Sequence, residues 1–453
     1  MTATIRPLSR HPWDSLWVLW WSVVLLVNLP GHLTHDSLTQ IAEGRSGVFE
    51  SWNPMALSVW FGYWVDLTGG PEVLVWMSSL LLMLSMRAVV QPDDWGGPWA
   101  WPLVGVMLCA PVLLIYPGIV WKDVWFAHLT LAGLALAAQR HRGAGWGWEP
   151  LSLLLLAAAM LTRQTGVVAT SVVVMVLASA RTAATDARWT DLVVAWAWRM
   201  AVMVVMAALL SVGVKAMSQR IVGAPVATGV RLVAMFDLAG MLQRDPSLSL
   251  ARLESQGVEV QALEAAARRS FSAERVDTLD LPPVLWDPKV STADVLWQWA
   301  DLVAQRPWVY LRHRAEVVAW WGGWREQQRC LPVHVGIDPG TVADRAGIRP
   351  PGSRWSHALY LYTQPWVNTP YFSPLAWLAV SVGVWCLWWA CGLRRHPVAW
   401  LQVAGVMYGL SYFPIGFSCD YRYSYFTVLA AMVGVMATVA QPRRWWEALI
   451  RRA

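Results

Sequence analysis

Four short polar groups interrupt apolar stretches of the sequence. They are His35-Asp36, Trp121-Lys122-Asp123, Arg163 and Asp420-Tyr421-Arg422-Tyr423. Ionisable residues at membrane depth are costly, and those that persist are candidates for function. A carboxylate can remove a proton from a substrate, whereas lysine and arginine can stabilise negative charge. These groups therefore offer a base and cations to one chemical site.

The charged residues of the first two groups also have structural explanations. Asp36 could cap a helix that begins at Ser37, and the spacing alone favours neither the cap nor a catalytic role. Lys122 and Asp123 could form an ion pair at a helix start. However, the chain has only three lysines, Lys122, Lys215 and Lys289, and this scarcity favours a specific role for Lys122.

The remaining groups have similar alternatives. Arg163 could extend its charged end to the membrane surface, and Arg422 could anchor the last helix at the interface. The flanking Asp420 and Tyr423 favour a binding wall around Arg422. Neither His32 nor His35 has a histidine partner at ligand spacing, so the sequence predicts no metal site.

Long apolar segments must position these groups. We predict about ten transmembrane helices, at residues 14–30, 71–90, 99–116, 121–138, 147–162, 165–181, 191–215, 373–393, 397–416 and 422–440. The segments 147–162 and 165–181 are separated by Arg163-Gln164 and indicate a tight helical hairpin. Residues 55–66 are too few to cross and predict a re-entrant or interfacial helix.

The basic residues orient this bundle. Under the predicted spans, one side collects Arg6, Arg10, Arg140, Arg142, Arg181, Arg188, Arg394, Arg395, Arg443, Arg444, Arg451 and Arg452. That side is cytoplasmic by the positive-inside rule, and so are both termini. All four polar groups then lie on the opposite, extracytoplasmic face.

Composition also indicates a membrane protein with several spanning helices. Hydrophobic residues make up 56% of the 453-residue chain and charged residues only 14%, against about 25% in soluble domains. The net charge of +6 comes from arginines at the ends of apolar segments, which indicates membrane topology and not a nucleic-acid partner. The five cysteines do not cluster, and whether Cys330 and Cys419 pair is left open.

Taken in order, these motifs resemble the GT-C superfamily of polyprenyl-phosphate-sugar-dependent membrane glycosyltransferases. The matching motifs are Thr34-His35-Asp36-Ser37, Ser51-Trp52-Asn53-Pro54, Trp121-Lys122-Asp123, Arg163-Gln164-Thr165-Gly166 and Asp420-Tyr421-Arg422-Tyr423. Each motif is short, and their order and common side give the resemblance its weight.

The resemblance implies a GT-C-like all-α architecture in a bacterial inner membrane, with the active site on the periplasmic face. It implies that Asp36 is the general base and that Lys122, Arg163 and Arg422 bind the phosphate of a polyprenyl-linked sugar. The sugar would pass with inversion to an extracytoplasmic acceptor. Further candidate active-site residues are His35, Trp52, Asn53, Asp123, Asp420 and Tyr423.

Two features depart from the family pattern. Many relatives have His-Pro where this chain has Asn53-Pro54, so no histidine role is carried over. The acidic residue is a lone Asp36 and not an Asp-Glu or Asp-x-Asp pair. No cofactor is therefore required, and a divalent cation is allowed but not indicated.

Three regions follow from the predicted topology. Residues 1–215 form an N-terminal bundle with a catalytic first outside loop at 31–70, residues 216–372 an extracytoplasmic helical insert, and residues 373–453 the C-terminal spans. Within the insert, residues 251–270 have helical spacing, and a helix at 307–324 is expected to lie along the interface.

Other functions remain open. In a secondary transporter or flippase the same ionisable residues would form a substrate path, but charges near the midplane and an internal repeat are expected there. A polysaccharide polymerase or ligase also consumes lipid-linked glycans, and the charged stretch 306–325 is compatible with one. A structural scaffold gives no reason to concentrate charge at one rim.

Overall fold

The computed structural model describes residues 12–49, 53–91, 97–142, 145, 147–182, 188–217, 229–280, 290–323, 330, 332–349 and 352–450. Within these ranges every regular element is a helix, and extended pairing is limited to isolated bridges. An all-helical chain satisfies its backbone hydrogen bonds within each segment, as the bilayer core requires.

The N-terminal half contains ten α-helices. They are α1 (Pro12–Asn28), α2 (His35–Ser46), α3 (Met55–Thr68), α4 (Glu72–Val89), α5 (Gly97–Leu108), α6 (Pro111–Ile115), α7 (Lys122–His141), α8 (Trp148–Thr162), α9 (Gly166–Thr182) and α10 (Trp189–Met217).

The remaining helices fall into two groups. The insert contains α11 (Gly229–Arg244), α12 (Ala251–Glu254), α13 (Val260–Ser270), α14 (Thr292–Gln305), α15 (Pro307–Trp321), α16 (Thr341–Ala346) and α17 (Ser356–Thr363). The C-terminal group contains α18 (Pro374–Ala390), α19 (Pro397–Ile415), a 3-10 turn (Tyr421–Ser424), α20 (Tyr425–Ala440) and α21 (Pro442–Ile450).

Each predicted span coincides with one of these helices or with a bent pair. Within the described ranges, four helices are long and apolar enough to cross a bilayer, at Glu72–Val89, Trp189–Val214, Pro397–Ile415 and Tyr421–Ala440. The bent pair α5 and α6 would make a fifth, and α1, α8, α9 and α18 are shorter apolar helices. The chain is an all-α polytopic membrane protein.

The predicted span 99–116 differs from expectation because it is broken. Helix α5 ends at Leu108, α6 begins at Pro111, and the two helical segments meet at 67°. Pro111 lacks an N–H and disfavours helical backbone at the residue before it, and Ala110 is extended (φ −60°, ψ 140°). Proline therefore ends the first half of this span.

The first loop, at residues 31–70, contains a helical pair that carries the candidate base. Helices α2 and α3 cross closely because Gly44 and Gly62 lie at the crossing, where a methyl group on Gly44 would clash with the Ser58 carbonyl. Helix α3 covers the 14 residues Met55–Thr68, slightly more than the short helix predicted. Glycine at this crossing therefore allows α2 to pack directly on α3.

Two hydrophobic cores organise the described residues. The larger core joins the bundle helices, and the later insert residues Ala343, Ala346, Ile348, Leu359 and Phe372 belong to it. The smaller core joins α11, α13, α14 and α15, and receives Tyr412 and Tyr423 from the C-terminal helices. The predicted region boundaries at 215 and 372 stay a prediction.

One helical expectation for the insert changes, and one of its helices has an unexpected buried side. Residues 251–270 form two helices because the chain turns between them, where Gly257 has φ +81°. The expected position of α15 along the interface stays a prediction, and Arg312 is exposed, but His313 and Arg314 are fully buried. The reason is a third buried residue, Asp237, which the sequence did not indicate.

Asp237 is the centre of a buried polar cluster. Its carboxylate accepts hydrogen bonds from His313 Nε2 (2.8 Å), Arg314 (2.6 Å) and Trp299 Nε1 (2.9 Å). Arg314 also donates to the Gly416 carbonyl at 2.5 Å, which links the insert to the end of α19. The cluster therefore fixes the insert to the loop that leads to Asp420 and Arg422.

We predict that Asp237→Leu destabilises the protein by about 3–5 kcal/mol, because Arg314 would keep a buried charge without a counterion. The measurement is thermal or denaturant unfolding in detergent. Asp301→Leu is the matched control, since Asp301 pairs with Arg252 at 3.5 Å at the surface and such pairs contribute about 0–1 kcal/mol. Equal shifts in the two variants would contradict the assignment.

The charged residues divide between the two ends of the bundle. Helix α7 runs from Lys122 at one end to His141 at the other, and α8 returns from Trp148 to Thr162. At the His141 end, Glu149 pairs with Arg199 at 2.9 Å. Arg199 is thus buried and held by an ion pair.

The membrane orientation stays a prediction. We expect reagents outside the membrane to label cysteines introduced near Asp36, Arg163 and Ser270, and not those near Arg142 and Arg395, because of the positive-inside rule. The measurement needs a background without the exposed Cys109 and Cys386. Labelling near Arg142 from outside would reverse the orientation.

Candidate active site

Asp36 lies in the first turn of α2 and does not cap this helix. Helix α2 begins at His35, with Thr34 as the N-cap, and the Thr34 N–H donates to the Ser37 hydroxyl at 3.3 Å. The interpretation of Asp36 as the cap of a helix starting at Ser37 is therefore wrong. Thr34 and Ser37 cap the N-terminus of the helix, so the Asp36 carboxylate is not needed there. It forms an ion pair with Arg422 at 2.8 Å instead.

Arg422 brings the late motif to this carboxylate. Its side chain reaches from the 3-10 turn to Asp36 and also lies 3.4 Å from Asp420. The guanidinium lies over the rings of Trp121 and Tyr423, each with its centroid 5.2 Å away. Residues from three distant sequence motifs therefore surround one cation.

This arrangement keeps Asp36 ionised. Burial alone would raise the pKa of the Asp36 carboxyl, but Arg422 and then Lys122 outweigh it and lower the pKa below the ordinary value of 3.8. A carboxyl with a lowered pKa is a weak base that is charged throughout the physiological range. It gains strength as a base only if a substrate separates it from Arg422.

The pH dependence of activity follows from this pKa. The basic form of Asp36 is lost only as the pH falls through the lowered pKa, so the acidic limb that it causes should lie below about pH 4. In Arg422→Gln, Asp36 stays buried but loses the positive charge that lowers its pKa most. The pKa of Asp36 therefore rises, and the acidic limb should move to higher pH. The measurement is the pH profile of the transfer rate. An acidic limb at the same pH in both proteins would contradict the pairing of Asp36 with Arg422.

Lys122 forms a second part of the site. It is the first residue of α7, and its Nζ donates to Asn53 Oδ1 at 2.9 Å. Asn53 is buried and stands directly before Pro54, which precedes α3. The structure thus joins two predicted residues, while Trp52 lies outside the described residues.

Arg163 and Asp123 form a buried ion pair at the tip of the α8–α9 hairpin. The side chains of Arg163 and Asp123 are 14% and 2% exposed. Arg163 Nε donates to the Thr165 hydroxyl at 2.9 Å, and its guanidinium lies 4.8 Å from the centroid of the Tyr423 ring. Both Asp123 and Asp36 pair with an arginine, but Asp123 is almost fully buried whereas the Asp36 side chain is 23% exposed.

Two cavities of about 440 Å³ each meet beside these residues. The first has Lys122 and Arg163 among mostly apolar neighbours, including Val168, Val233, Leu296, Trp299 and Ile415. The second is polar and is lined by Asp36, Asp420 and Arg422, with His35 and Trp121. Phe417 and Tyr423 line both cavities, so aromatic rings separate an apolar space from a polar one.

Several residues of the site were missed. Arg275, Asp277, His334 and Asp338 of the insert line the polar cavity, although no apolar span frames them in the sequence. Buried Glu43 follows Asp36 by seven residues and lies on the same face of α2. Its carboxylate accepts a hydrogen bond from the Ser58 hydroxyl at 3.4 Å. The seven-residue spacing of Asp36 and Glu43, which puts both on one helical face, is a sequence signal that could have identified Glu43.

The question of Cys330 and Cys419 is also answered. They form a disulfide with a Cα–Cα distance of 5.8 Å, and Cys419 directly precedes Asp420. Among the residues that the structure describes, Glu274 with these two cysteines is the group compact enough to hold a metal. Because both sulfurs are in the disulfide, they offer no thiolate ligands.

The sequence-predicted residues therefore assemble into one region with two parts. Asp36, His35, Asp420, Arg422 and Tyr423 surround the polar cavity, and Lys122, Asn53, Asp123 and Arg163 gather beside the apolar one. Such an arrangement can hold an amphiphile with an anionic group at the junction and a polar molecule next to a carboxylate.

Comparison with known proteins gives one likeness in structure. No protein-family model matches the chain, and no curated protein matches it. The chain is similar to the crystal structure of ArnT from Cupriavidus metallidurans in the apo state, with 18% sequence identity and a TM-score of 0.34, over 94% of this chain and 77% of that one.

Proposed function

We propose that the chain is a membrane glycosyltransferase that moves a sugar from a polyprenyl-phosphate donor to the hydroxyl group of an extracytoplasmic acceptor. One observation carries the proposal: an apolar cavity lined in part by Lys122 and Arg163 shares Phe417 and Tyr423 with a polar cavity that is lined by Asp36. The two halves match a donor with an apolar chain, an anionic phosphate and a polar sugar.

The donor occupies the apolar cavity in this proposal. Its isoprenoid chain contacts the lining between α9, α11 and α14, where Val167 and Val230 are 41% and 58% exposed. Its phosphate binds Lys122 and Arg163, which line the same cavity. Arg422 lies within electrostatic reach of Lys122 and adds to the positive potential there.

The reaction is a single displacement. Asp36 takes the proton of the acceptor hydroxyl, and the oxygen forms a bond to the anomeric carbon. The bond from that carbon to the phosphate oxygen breaks, and the polyprenyl phosphate leaves with the electron pair. Because attack and departure occur on opposite faces, the configuration at the anomeric carbon inverts.

The cations act on the step in which charge grows. The leaving phosphate gains negative charge as the bond breaks, and preformed cations stabilise it without reorganisation. Arg422 contacts Asp36 in the described state, so we assign it a second task, the orientation of the base. An acceptor hydroxyl that inserts between the two side chains would weaken their pairing and make Asp36 a stronger base.

The test uses purified protein in nanodiscs with decaprenyl phosphate linked to mannose, glucose or arabinose, together with a membrane extract as a source of acceptors. We expect release of free decaprenyl phosphate and a labelled sugar product from at least one donor. Loss of both in Asp36→Asn, with the protein still inserted, supports the proposal. Movement of an intact donor across a vesicle membrane, without release of free lipid phosphate, would favour a flippase and overturn it.

A further inference from the structure

The polar cavity has one wall that comes from the insert. Asp36, Trp121 and Arg422 belong to the bundle side, and the facing residues of the insert are Arg275, Asp277, His334 and Asp338. The proposed transfer chemistry uses none of these four. Their side chains are between 22% and 61% exposed, so they present polar groups to whatever enters the cavity.

Backbone pairing holds this wall in place. The Cys419 N–H donates to the Glu274 carbonyl at 2.7 Å, and the Val276 N–H to the Phe417 carbonyl at 2.8 Å. The Leu33 N–H donates to the Gly336 carbonyl at 2.9 Å, beside His334 and Asp338. The wall is thus attached on both sides to the loops that carry Asp36 and Asp420.

A second set of contacts fixes the side chains. The His35 N–H donates to Asp338 Oδ2 at 2.8 Å. Arg275 pairs with Asp277. Burial lowers the pKa of His334, and its imidazole is neutral at pH 7. The wall is a preformed surface whose charge is set by acids and arginines.

The described lining of this cavity contains more acids than bases. The acids are Asp36, Asp277, Asp338 and Asp420, and the bases are Arg275 and Arg422. Low-dielectric walls strengthen the field of like charges in a cleft. A phosphorylated or carboxylated molecule would meet net negative charge here, whereas hydroxyl groups would find several carboxylate acceptors.

We propose that the wall formed by Arg275, Asp277, His334 and Asp338 is the acceptor subsite, and that the acceptor is an uncharged saccharide. This inference rests on the proposed function and gives it a substrate class. Carboxylates accept hydrogen bonds from neighbouring sugar hydroxyls, and Arg275 can donate to ring and hydroxyl oxygens. His334 Nε2 donates to the Gly336 carbonyl at 3.2 Å and shapes the wall without binding the sugar as a donor. A cavity of about 440 Å³ is in the range of small-molecule sites.

A saccharide fits this surface better than a peptide does. Peptides bound in extended form gain most of their affinity from backbone groups at an exposed edge. Here the backbone of Val276, Gly336 and Cys419 already pairs with neighbouring loops. The cavity therefore offers mainly side-chain groups, as recognition of a polyhydroxylated molecule requires.

The test measures acceptor binding without donor, by saturation-transfer NMR on the protein in nanodiscs. The probes are maltose, cellobiose and mannobiose, each paired with its 1-phosphate, and a serine-containing peptide. We expect at least one neutral disaccharide to bind, with its 1-phosphate about tenfold weaker at low salt. The difference should shrink at high salt, because screening weakens the repulsion.

The variant Asp277→Lys should reduce or reverse this preference for the neutral sugar. Asp301→Lys is the matched control, since Asp301 lies on the insert outside this cavity and also pairs with an arginine, Arg252. An unchanged preference in Asp277→Lys, tighter binding of the 1-phosphates, or binding of the peptide alone would overturn the inference.

The outcomes separate this inference from the proposed function. If the neutral disaccharides bind as expected and no donor ever releases lipid phosphate, the glycosyltransferase proposal fails and the saccharide site stands. If lipid phosphate is released and none of the disaccharides binds, the subsite assignment fails and the transferase proposal stands.

Discussion

Replacing Asp36 with asparagine is expected to lower the rate of sugar transfer by about 10²–10⁴-fold, the range associated with loss of a general base. The amide is nearly isosteric with the carboxylate and can still accept a hydrogen bond from Arg422, which lies 2.8 Å from Asp36. Thr34 caps α2 independently, so this helix remains in place. What disappears is the ability to take a proton.

The measurement is release of lipid phosphate and formation of sugar product, with donor binding measured separately. Asp66→Asn is the matched control: Asp66 pairs with Arg45 at 2.6 Å and lines neither cavity. Its substitution should leave the rate nearly unchanged. Full activity in Asp36→Asn would remove the base from this residue, and a loss in Asp123→Asn or Asp420→Asn alone would move it there.

The arrangement around Asp36 shows which parts of the molecule were predictable. Apolar length predicted a helix at every span, because the bilayer imposes a narrow range of lengths on spanning helices. Scarcity of charge made Lys122, Arg163 and Arg422 stand out, and the structure places them within electrostatic reach of one another. Both signals are local in sequence.

Contacts between residues far apart in the sequence could not be predicted from local patterns. Nothing near Asp36 indicates that its partner is Arg422, almost a whole chain length away. The insert has neither the long apolar segments nor the one-sided distribution of arginines that identify transmembrane spans. Asp237 and the wall around Asp277 were therefore missed. The break at Pro111 was likewise hidden, because the apolar composition continues through it.

The apolar cavity leads to the second large effect. Lys122→Met is expected to lower turnover by about 10²–10³-fold, the scale for deletion of one electrostatic stabiliser. Methionine keeps the length of the side chain and fits an apolar lining, so insertion and folding should be retained. The measurement is single-turnover release of lipid phosphate at saturating acceptor. Wild-type turnover would contradict a role at the phosphate.

Arg163 needs a different design, because its removal leaves Asp123 as an uncompensated buried charge. Arg163→Met alone is expected to destabilise the protein by about 3–5 kcal/mol, so its loss of activity would be uninformative. Replacing both partners, in Arg163→Met with Asp123→Leu, removes the pair together and is often neutral for stability.

The double variant therefore separates the two roles of Arg163. If Arg163 binds the donor phosphate, the double variant should unfold at a temperature near that of the wild type and still lose about 10²–10³-fold in turnover. If Arg163 only neutralises Asp123, folding and turnover should both recover, and the phosphate would be held by Lys122 without it. Arg422 does not offer so clean a test, since it contacts Asp36 directly and lowers the pKa of that carboxyl more than Lys122 does.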